Sequence, residues 1–444
     1  MQAILNQNER TDAVVVGGGL AGLIAAAKLA QAGRRVILLE QSKQPGGRAA
    51  TNSTGGVHFN LGPRALYCHG HAFRVLRELQ VPFSGRFPSP GVSLGYYQGR
   101  EHRLPATLTD LLLTKLLSPR DKWRLANLLR RLPHLNTTPF ARTSVKLWVH
   151  AHYGAGPLAE FLMSFFRLTS YVADMDHYSA GAALDQLKIG LSGNVWYIDG
   201  GWQSLIDGLR QVATKHGVEV RPGVHVSSIR SQNGAVVVGL PHDQAIRSEV
   251  AVLTIALRKA CELLALPDSH ALARWVETAR PVRAACLDLA LAKLPRPKHR
   301  FALGIDEPYY FSVHSAAAKL APEGVAVVHV MKYLMRSEPA EHVEQELVQF
   351  VDRVQPGWSE HILRRRFLPS MLVAPDLPQA SAGGLAGRPA VDAALAEIPG
   401  VFLAGDWVGE RGQLADAAAA SAVEAAQRAL QYQQRQIAPQ LQYA

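Results

Sequence analysis

Cysteine is scarce in this 444-residue chain: Cys68, Cys261 and Cys286 are odd in number, far apart and without a CxxC pair. That excludes a disulfide framework and fits a reducing, cytoplasmic compartment. Each thiol reads as a small buried side chain. Long apolar runs are missing too. The first ten residues are polar and lack the apolar core of a signal peptide. The stretch from Ala13 to Ala27 is apolar but holds four glycines and is too short for a membrane span. Metal-ligand spacing is also absent: His69 and His71, like His150 and His152, have no third ligand nearby, so no metal is expected. No basic run is interleaved with aromatics, so nucleic acid is not expected either. No Ser/His/Asp or paired-carboxylate signature stands out.

Cationic charge, by contrast, is in excess. The 47 Lys and Arg against 36 Asp and Glu give a net +11, which suits acidic partners or a merely solvated surface. Arg364-Arg365-Arg366 reads as a solvated face. With 48% hydrophobic and 19% charged residues the chain can bury a large core. At about 150 residues per domain, two or three domains are expected.

The informative region is the first fifty residues. Val14-Val15-Val16 reads as a buried parallel strand. Gly17-Gly18-Gly19-Leu20-Ala21-Gly22 follows, then a helix closed at Gly33, then the strand Val36-Ile37-Leu38-Leu39 ending in Glu40. Each part of this GxGxxG unit has a task. Gly17 allows the tight turn, Gly19 lets the backbone approach a pyrophosphate, and Gly22 lets helix and strand pack closely. The helix start, with the amides of Leu20 and Ala21, offers free donors and a positive dipole end to phosphate. Glu40 can accept from ribose hydroxyls, with Gln41 beside it in the same cofactor set. The strand, turn, helix and acid together predict dinucleotide binding.

Gln44-Pro45-Gly46-Gly47-Arg48 comes next, and here the chain resembles the flavoprotein superfamily of amine oxidases, protoporphyrinogen oxidases and carotenoid desaturases. The resemblance implies non-covalently bound FAD, with Gly47 and Arg48 supporting its pyrophosphate; a guanidinium suits that role because it offers a fork to phosphate oxygens. It also implies that Gly62-Pro63-Arg64 lies beside the flavin ring, although Asn60 stands where the family often has Asp. Arg64 is then a flavin-proximal candidate for stabilising reduced flavin; as a lone residue it reads equally as a surface arginine. Trp196 to Trp202, carrying Gly200-Gly201, looks like the return into the cofactor domain, with a helix from Gln203 to Leu209. Glu219-Val220 and Val224 to Ile229 read as a strand pair turning at Arg221-Pro222-Gly223, and the resemblance gives Val226 an adenine contact. Near the C-terminus, Gly405-Asp406 follows the strand Val401 to Ala404. A small-residue helix runs from Leu414-Ala415 through Ala418 to about Leu430. The resemblance implies that Asp406 binds the pyrophosphate–ribityl region and that the helix start, with Leu414, Ala415 and Ala418, meets the flavin pyrimidine edge.

These readings combine into an α/β expectation: a Rossmann-type FAD-binding domain with a parallel sheet (1–80, 196–255 and 396–444) and a discontinuous α+β substrate domain (81–195 and 256–395). Residues 80 to 195 read as largely helical. Cys286 to Leu294 and Val325 to Val330 are strand candidates. Residues 108–132 read as a helix with Leu125, Leu128, Leu129 and Leu132 on one face. Between Lys115 and Arg131, the cations Lys115, Arg120, Lys122, Arg124, Arg130 and Arg131 oppose only Asp121. Such a helix either lies on an anionic membrane or faces the core with a solvated basic back.

The leading functional expectation is an FAD-dependent oxidoreductase that takes hydride from a small, largely apolar substrate: an isoprenoid, polyene or macrocycle. Oxygen or a quinone would serve as acceptor. The alternatives are a flavin amine oxidase and a non-catalytic prenyl-lipid escort of the GDP-dissociation-inhibitor type. Leu414 stands where the amine oxidase branch often has tyrosine. The intact glycines, Glu40, Arg48 and Asp406 argue against the escort.

Overall fold

A computed structural model describes residues 9–88, 91–336, 338, 341–394 and 396–441. The β-branched run at the start forms the strand Glu9–Val16, central in a seven-stranded sheet. Parallel neighbours are Val36–Glu40 on one side and Ala245–Leu253 on the other. Glu219–Pro222 extends the first side, and Val401–Leu403 runs parallel to the end of Ala245–Leu253. Two antiparallel strands, Ala235–Gly239 and Ser228–Gln232, close the far edge. Because both faces are covered, the central strands are apolar throughout; Ala13, Val14 and Val15 are fully buried. The helices Leu20–Gln31, Gln203–Lys215 and Leu414–Leu441 pack around this sheet.

The expected strand pair around Arg221-Pro222-Gly223 does not form. Glu219–Pro222 and Ser228–Gln232 lie on opposite edges of the sheet. The chain crosses between them past the end of the second strand, where Val224 N–H donates to the Glu40 carbonyl at 2.9 Å. Apolar alternation marks both segments as strands but says nothing of which partner each takes. The C-terminal helix also runs further than expected, to Leu441.

A second seven-stranded sheet is ordered Ile362–Ala374, Val282–Leu291, Ala326–Leu334, Tyr309–Val313, His299–Gly304, Val92–Tyr97, Arg100–Arg103. Its last two strands come from the segment expected to be largely helical. Strand alternation splits its faces. Val328 and Val330 pack toward the helix Val343–Val354, while His329, Met331 and Tyr333 face the other way. The helices Val145–Tyr153, Pro157–Ser170 and Ala180–Gly193 build a further layer over that side.

The expected helix over 108–132 is two helices, Leu108–Leu113 and Pro119–Arg131. Pro119 has no N–H to continue a helix, and the Ser118 hydroxyl accepts from the Asp121 amide, so the second helix starts afresh. Leu125, Leu128 and Leu132 are buried, but Leu129 is on the exposed side. Among the described residues, no helix is long and apolar enough to cross a membrane.

Candidate active site

The two sheets share one cavity of about 650 Å³. One end of it is walled by the dinucleotide turn. Gly17 adopts φ +109, open to few residues besides glycine, and a Cβ on Gly22 would overlap the Gly17 carbonyl. The helix Leu20–Gln31 starts at Gly19 with no side-chain cap, leaving its first amides facing the cavity. Gly19 bridges to Gly46, so the two glycine loops meet at this wall. Glu40 is buried; its carboxylate accepts from the amides of Gly18 at 2.6 Å and Ser42 at 2.7 Å. Leu20, Ala21, Gln41 and Gly47 line the same end.

Arg48 sits deeper. Its fork meets Asp406 in a bidentate pair, both contacts 2.6 Å, and it also donates to the Val373 carbonyl at 2.7 Å. Asp406 is thus joined to Arg48 across 358 residues of sequence. Burial opposes the Arg48 charge, but Asp406 outweighs it and raises the guanidinium above its usual range. Gly405, whose amide donates to the Ser421 hydroxyl at 2.9 Å, fixes the turn that aims Asp406. Leu414 opens the C-terminal helix with φ +55, a strained conformation for a leucine, and lines the cavity with Ala415 and Ala418.

Pro63 and Arg64 line the middle of the cavity. The Arg64 guanidinium lies 5.7 Å from the Trp202 ring centre, and burial lowers its pKa from the usual arginine range. Three residues of the expected cofactor set stand outside the lining: Gly22, which packs under the turn; Gly62, which packs against Met371; and Val226, half-buried in the crossover.

The far end is aromatic: Phe161, Phe165, Tyr171, Tyr197, Phe301 and Tyr333 surround it. The Tyr171 hydroxyl donates to the Pro63 carbonyl at 2.7 Å, tying this wall to the Arg64 loop, and burial pushes its phenol up to about 12. Asp416, one turn into the C-terminal helix, also lines the cavity. It accepts from the Ala72 amide at 2.8 Å, while its second oxygen has no partner among the described residues. Burial raises its pKa to about 6.

A buried polar cluster lies behind the aromatic end. Asp288 accepts from His329 at 2.5 Å and from Cys286 at 3.1 Å, and is paired with Arg366. Arg366 also donates to the Asn60 carbonyl. The expectation of a solvated face over 364–366 therefore fails at Arg366. Strand alternation turns its side chain toward Asp288, and it is 17% exposed. The donor atoms of Cys286, Asp288 and His329 lie within 4.8 Å of one another. A cation there would contend with the Arg366 guanidinium for the same carboxylate, so the geometry is that of a hydrogen-bonded network. Sequence reading missed this cluster because its members come from three strands and share no spacing. The surface histidines His69, His150 and His152 are exposed, away from it.

These features define a two-sheet protein that holds a dinucleotide against an aromatic chamber. The model of the flavin containing amine oxidoreductase family matches residues 20–430, and the chain belongs to that family. Its cofactor is FAD, and the residues present fit it: a glycine cradle with free helix amides, a buried acid at the end of the second strand, and an Arg–Asp pair at mid-cavity. A 4,4'-diaponeurosporene oxygenase from Staphylococcus aureus (strain USA300) is 24% identical over 259 residues, covering 49% of this chain and 50% of that protein. The chain thus matches about half the length of such curated relatives. An oxidoreductase structure from Methanosarcina mazei superimposes with TM-score 0.74 at 20% identity, covering 93% of this chain and 99% of that one. Cyclohexylamine oxidase from Brevibacterium oxydans IH-35A gives TM-score 0.69 at 13% identity, covering 96% and 99%. These likenesses establish the shared fold.

Proposed function

We propose that the chain is an FAD-dependent oxidoreductase that removes hydride from a largely apolar substrate such as an isoprenoid, polyene or macrocycle. One observation carries the reading: a single cavity runs from the dinucleotide cradle to a chamber walled by aromatic side chains. Bound FAD supplies a two-electron acceptor. The protein's own work is positional. Glu40 and the helix start hold the adenosine and phosphate end, the Arg48–Asp406 pair orders the middle, and Arg64 with the Leu414–Ala418 helix start places positive potential beside the ring. Tyr171, Tyr197, Phe301 and Tyr333 exclude water and orient the apolar body of the substrate. Residues 1–80, 196–255 and 396–444 form the cofactor domain in this reading, and 81–195 with 256–395 the substrate domain.

An amine substrate fits less well. Leu414 occupies the helix start, and the chamber meets a guanidinium, Arg64, which would repel an ammonium group. Oxygen or a quinone is the acceptor we propose.

We further propose that substrate enters from a membrane surface. Leu108, Leu112 and Leu113 are 74%, 67% and 59% exposed, and Trp123 is 68% exposed. Leu104, Pro105 and Ala106, just before this helix, line the cavity. Lys122 donates to the Leu112 carbonyl at 2.7 Å, and Arg120 and Arg130 stand on the same helix as Trp123. Exposed leucines and a tryptophan set among cations suit an anionic bilayer.

The test of function is anaerobic mixing of the purified protein with candidate polyenes, porphyrinogens and amines. Bleaching of the oxidised-flavin band near about 450 nm by a polyene or porphyrinogen supports the reading. Bleaching by amines alone overturns it.

A further inference from the structure

The cavity wall also contains a titratable pair that the cofactor machinery does not use. The Tyr310 hydroxyl lies 3.2 Å from His314 Nε2, and both residues line the cavity. Tyr197 stacks flat on the His314 ring, centroids 4.2 Å apart at 14°. On another side stands His329, 4.6 Å away and nearly perpendicular. Behind it the sheet register sets Ser312, His329, Asp288 and Arg366 opposite one another on four successive strands. This polar row crosses an otherwise apolar face. It ends at Arg366, whose guanidinium also holds the carbonyl of Asn60, two residues before Gly62-Pro63-Arg64. A row of buried charge is costly unless every member is partnered. Here Asp288 is matched by His329 and Arg366, while His329 Nε2 has no partner among the described residues.

We propose that Tyr310, held by His314, is the catalytic residue that takes the substrate proton, and that the His329–Asp288–Arg366 row positions His314. This rests on the hydride-transfer reading above. Two-electron oxidation of a saturated bond removes a hydride and a proton. Bound FAD would supply the acceptor for that hydride and its electron pair; once they have left one substrate atom, the neighbouring C–H is strongly acidic. That C–H bond breaks, its pair forms the new double bond, and its proton passes to the Tyr310 oxygen. Tyr310's own hydrogen passes to His314 Nε2. The resulting imidazolium faces the Tyr197 ring, with the Asp288 carboxylate beyond His329. A weak base suffices because the electron-deficient substrate is a strong acid. Burial, reinforced by His329, keeps His314 well below the usual histidine range, so it stands neutral and ready to accept. Burial holds the Tyr310 phenol well above its ordinary value, so it relays a proton instead of standing as a phenolate. The groups facing this pair are Tyr197, Tyr171, Tyr333, Ser312 and His329.

The test uses FAD-loaded protein. Nitrogen NMR of isotope-labelled histidine, with His314→Gln to assign the signal, reads the tautomer directly. The expected result is a neutral His314 with unprotonated Nε2 between about pH 6 and 8, shifted in Tyr310→Phe while flavin absorbance is retained. An imidazolium at neutral pH, or a hydrogen on Nε2, overturns the proposal. The second arm measures anaerobic flavin reduction by 4,4'-diaponeurosporene. Tyr310→Phe should slow reduction by roughly 10² to 10⁴-fold with little change in the half-saturating probe concentration. Equal rates in variant and parent overturn the assignment. If the probe fails to reduce the parent protein, the apolar-substrate reading is what fails, and the histidine tautomer alone decides the Tyr310–His314 assignment.

Discussion

Glu40 and Asp406 are both buried carboxylates in the cavity wall, yet they answer to different partners. Glu40 holds two backbone amides that shape the glycine turn. Asp406 holds one side chain, Arg48. Replacing Glu40 by Ala strands the buried Gly18 amide, a cost of about 1–3 kcal/mol, and leaves the Ser42 amide, on an exposed residue, to water. Replacing Asp406 by Ala frees a guanidinium that the cavity leaves partly exposed, so the cost to stability is smaller and the loss falls on cofactor retention. Both variants should purify with less FAD per chain, read as the ratio of flavin to protein absorbance. Undiminished FAD in both contradicts the assignment. Asp416 makes a pH prediction. Its folded pKa of about 6 lies above the ordinary 3.8, with burial as the main cause. Between those values the folded state binds the proton that the unfolded chain has lost, so this group's contribution to stability declines as pH rises through the window. Asp416→Asn keeps an acceptor for Ala72 but removes the titration. The Tm of the variant minus that of the parent should therefore grow more positive from about pH 4 to about pH 6 and then level off. A flat difference contradicts it. Gly17 and Gly22 were legible in the sequence because backbone geometry dictates them, whereas the contacts of Glu40 with the Gly18 and Ser42 amides were not part of its expected role at a ribose. Asp288, His329 and Arg366 were not, since only strand pairing brings them together, and Arg366 in a run of three arginines looked like surface.

The expectation for 108–132 shows where periodicity misleads at the scale of elements. Leucine spacing identified the buried stripe Leu125, Leu128 and Leu132 but ran across Ser118-Pro119, where a cap and a missing N–H restart the helix. The strands Val92–Tyr97 and Arg100–Arg103, the last two of the second sheet, were hidden because both are short and carry mixed patterns. The split has a consequence: the short helix Leu108–Leu113 presents leucines outward on its own. Leu112→Glu with Leu113→Glu should keep the flavin spectrum and thermal stability while sharply lowering cosedimentation with anionic phospholipid vesicles. Unchanged vesicle binding sinks the membrane-entry proposal and leaves the site untouched. Ser118→Ala should cost about 1 kcal/mol through loss of the Asp121 amide's acceptor, checked by denaturant unfolding. No loss would mean that the cap contributes nothing to the second helix.

The whole molecule is organised around a cavity to which distant parts of the chain contribute. The dinucleotide turn, the Arg48 loop, Thr254, Asp406 and the Leu414 helix start all line it, and the second sheet closes the other end. The cofactor half was readable because each of its contributions is a short contiguous motif. The substrate half was readable only as alternating strands and helices, because its chamber is assembled from side chains scattered over hundreds of residues. The most direct measurement of the central claim is the FAD content of freshly isolated, well-folded protein, released by denaturation and quantified against chain concentration. The account predicts close to one FAD per chain, restored on adding FAD after stripping. Folded protein that contains none and takes up none from an excess would contradict it.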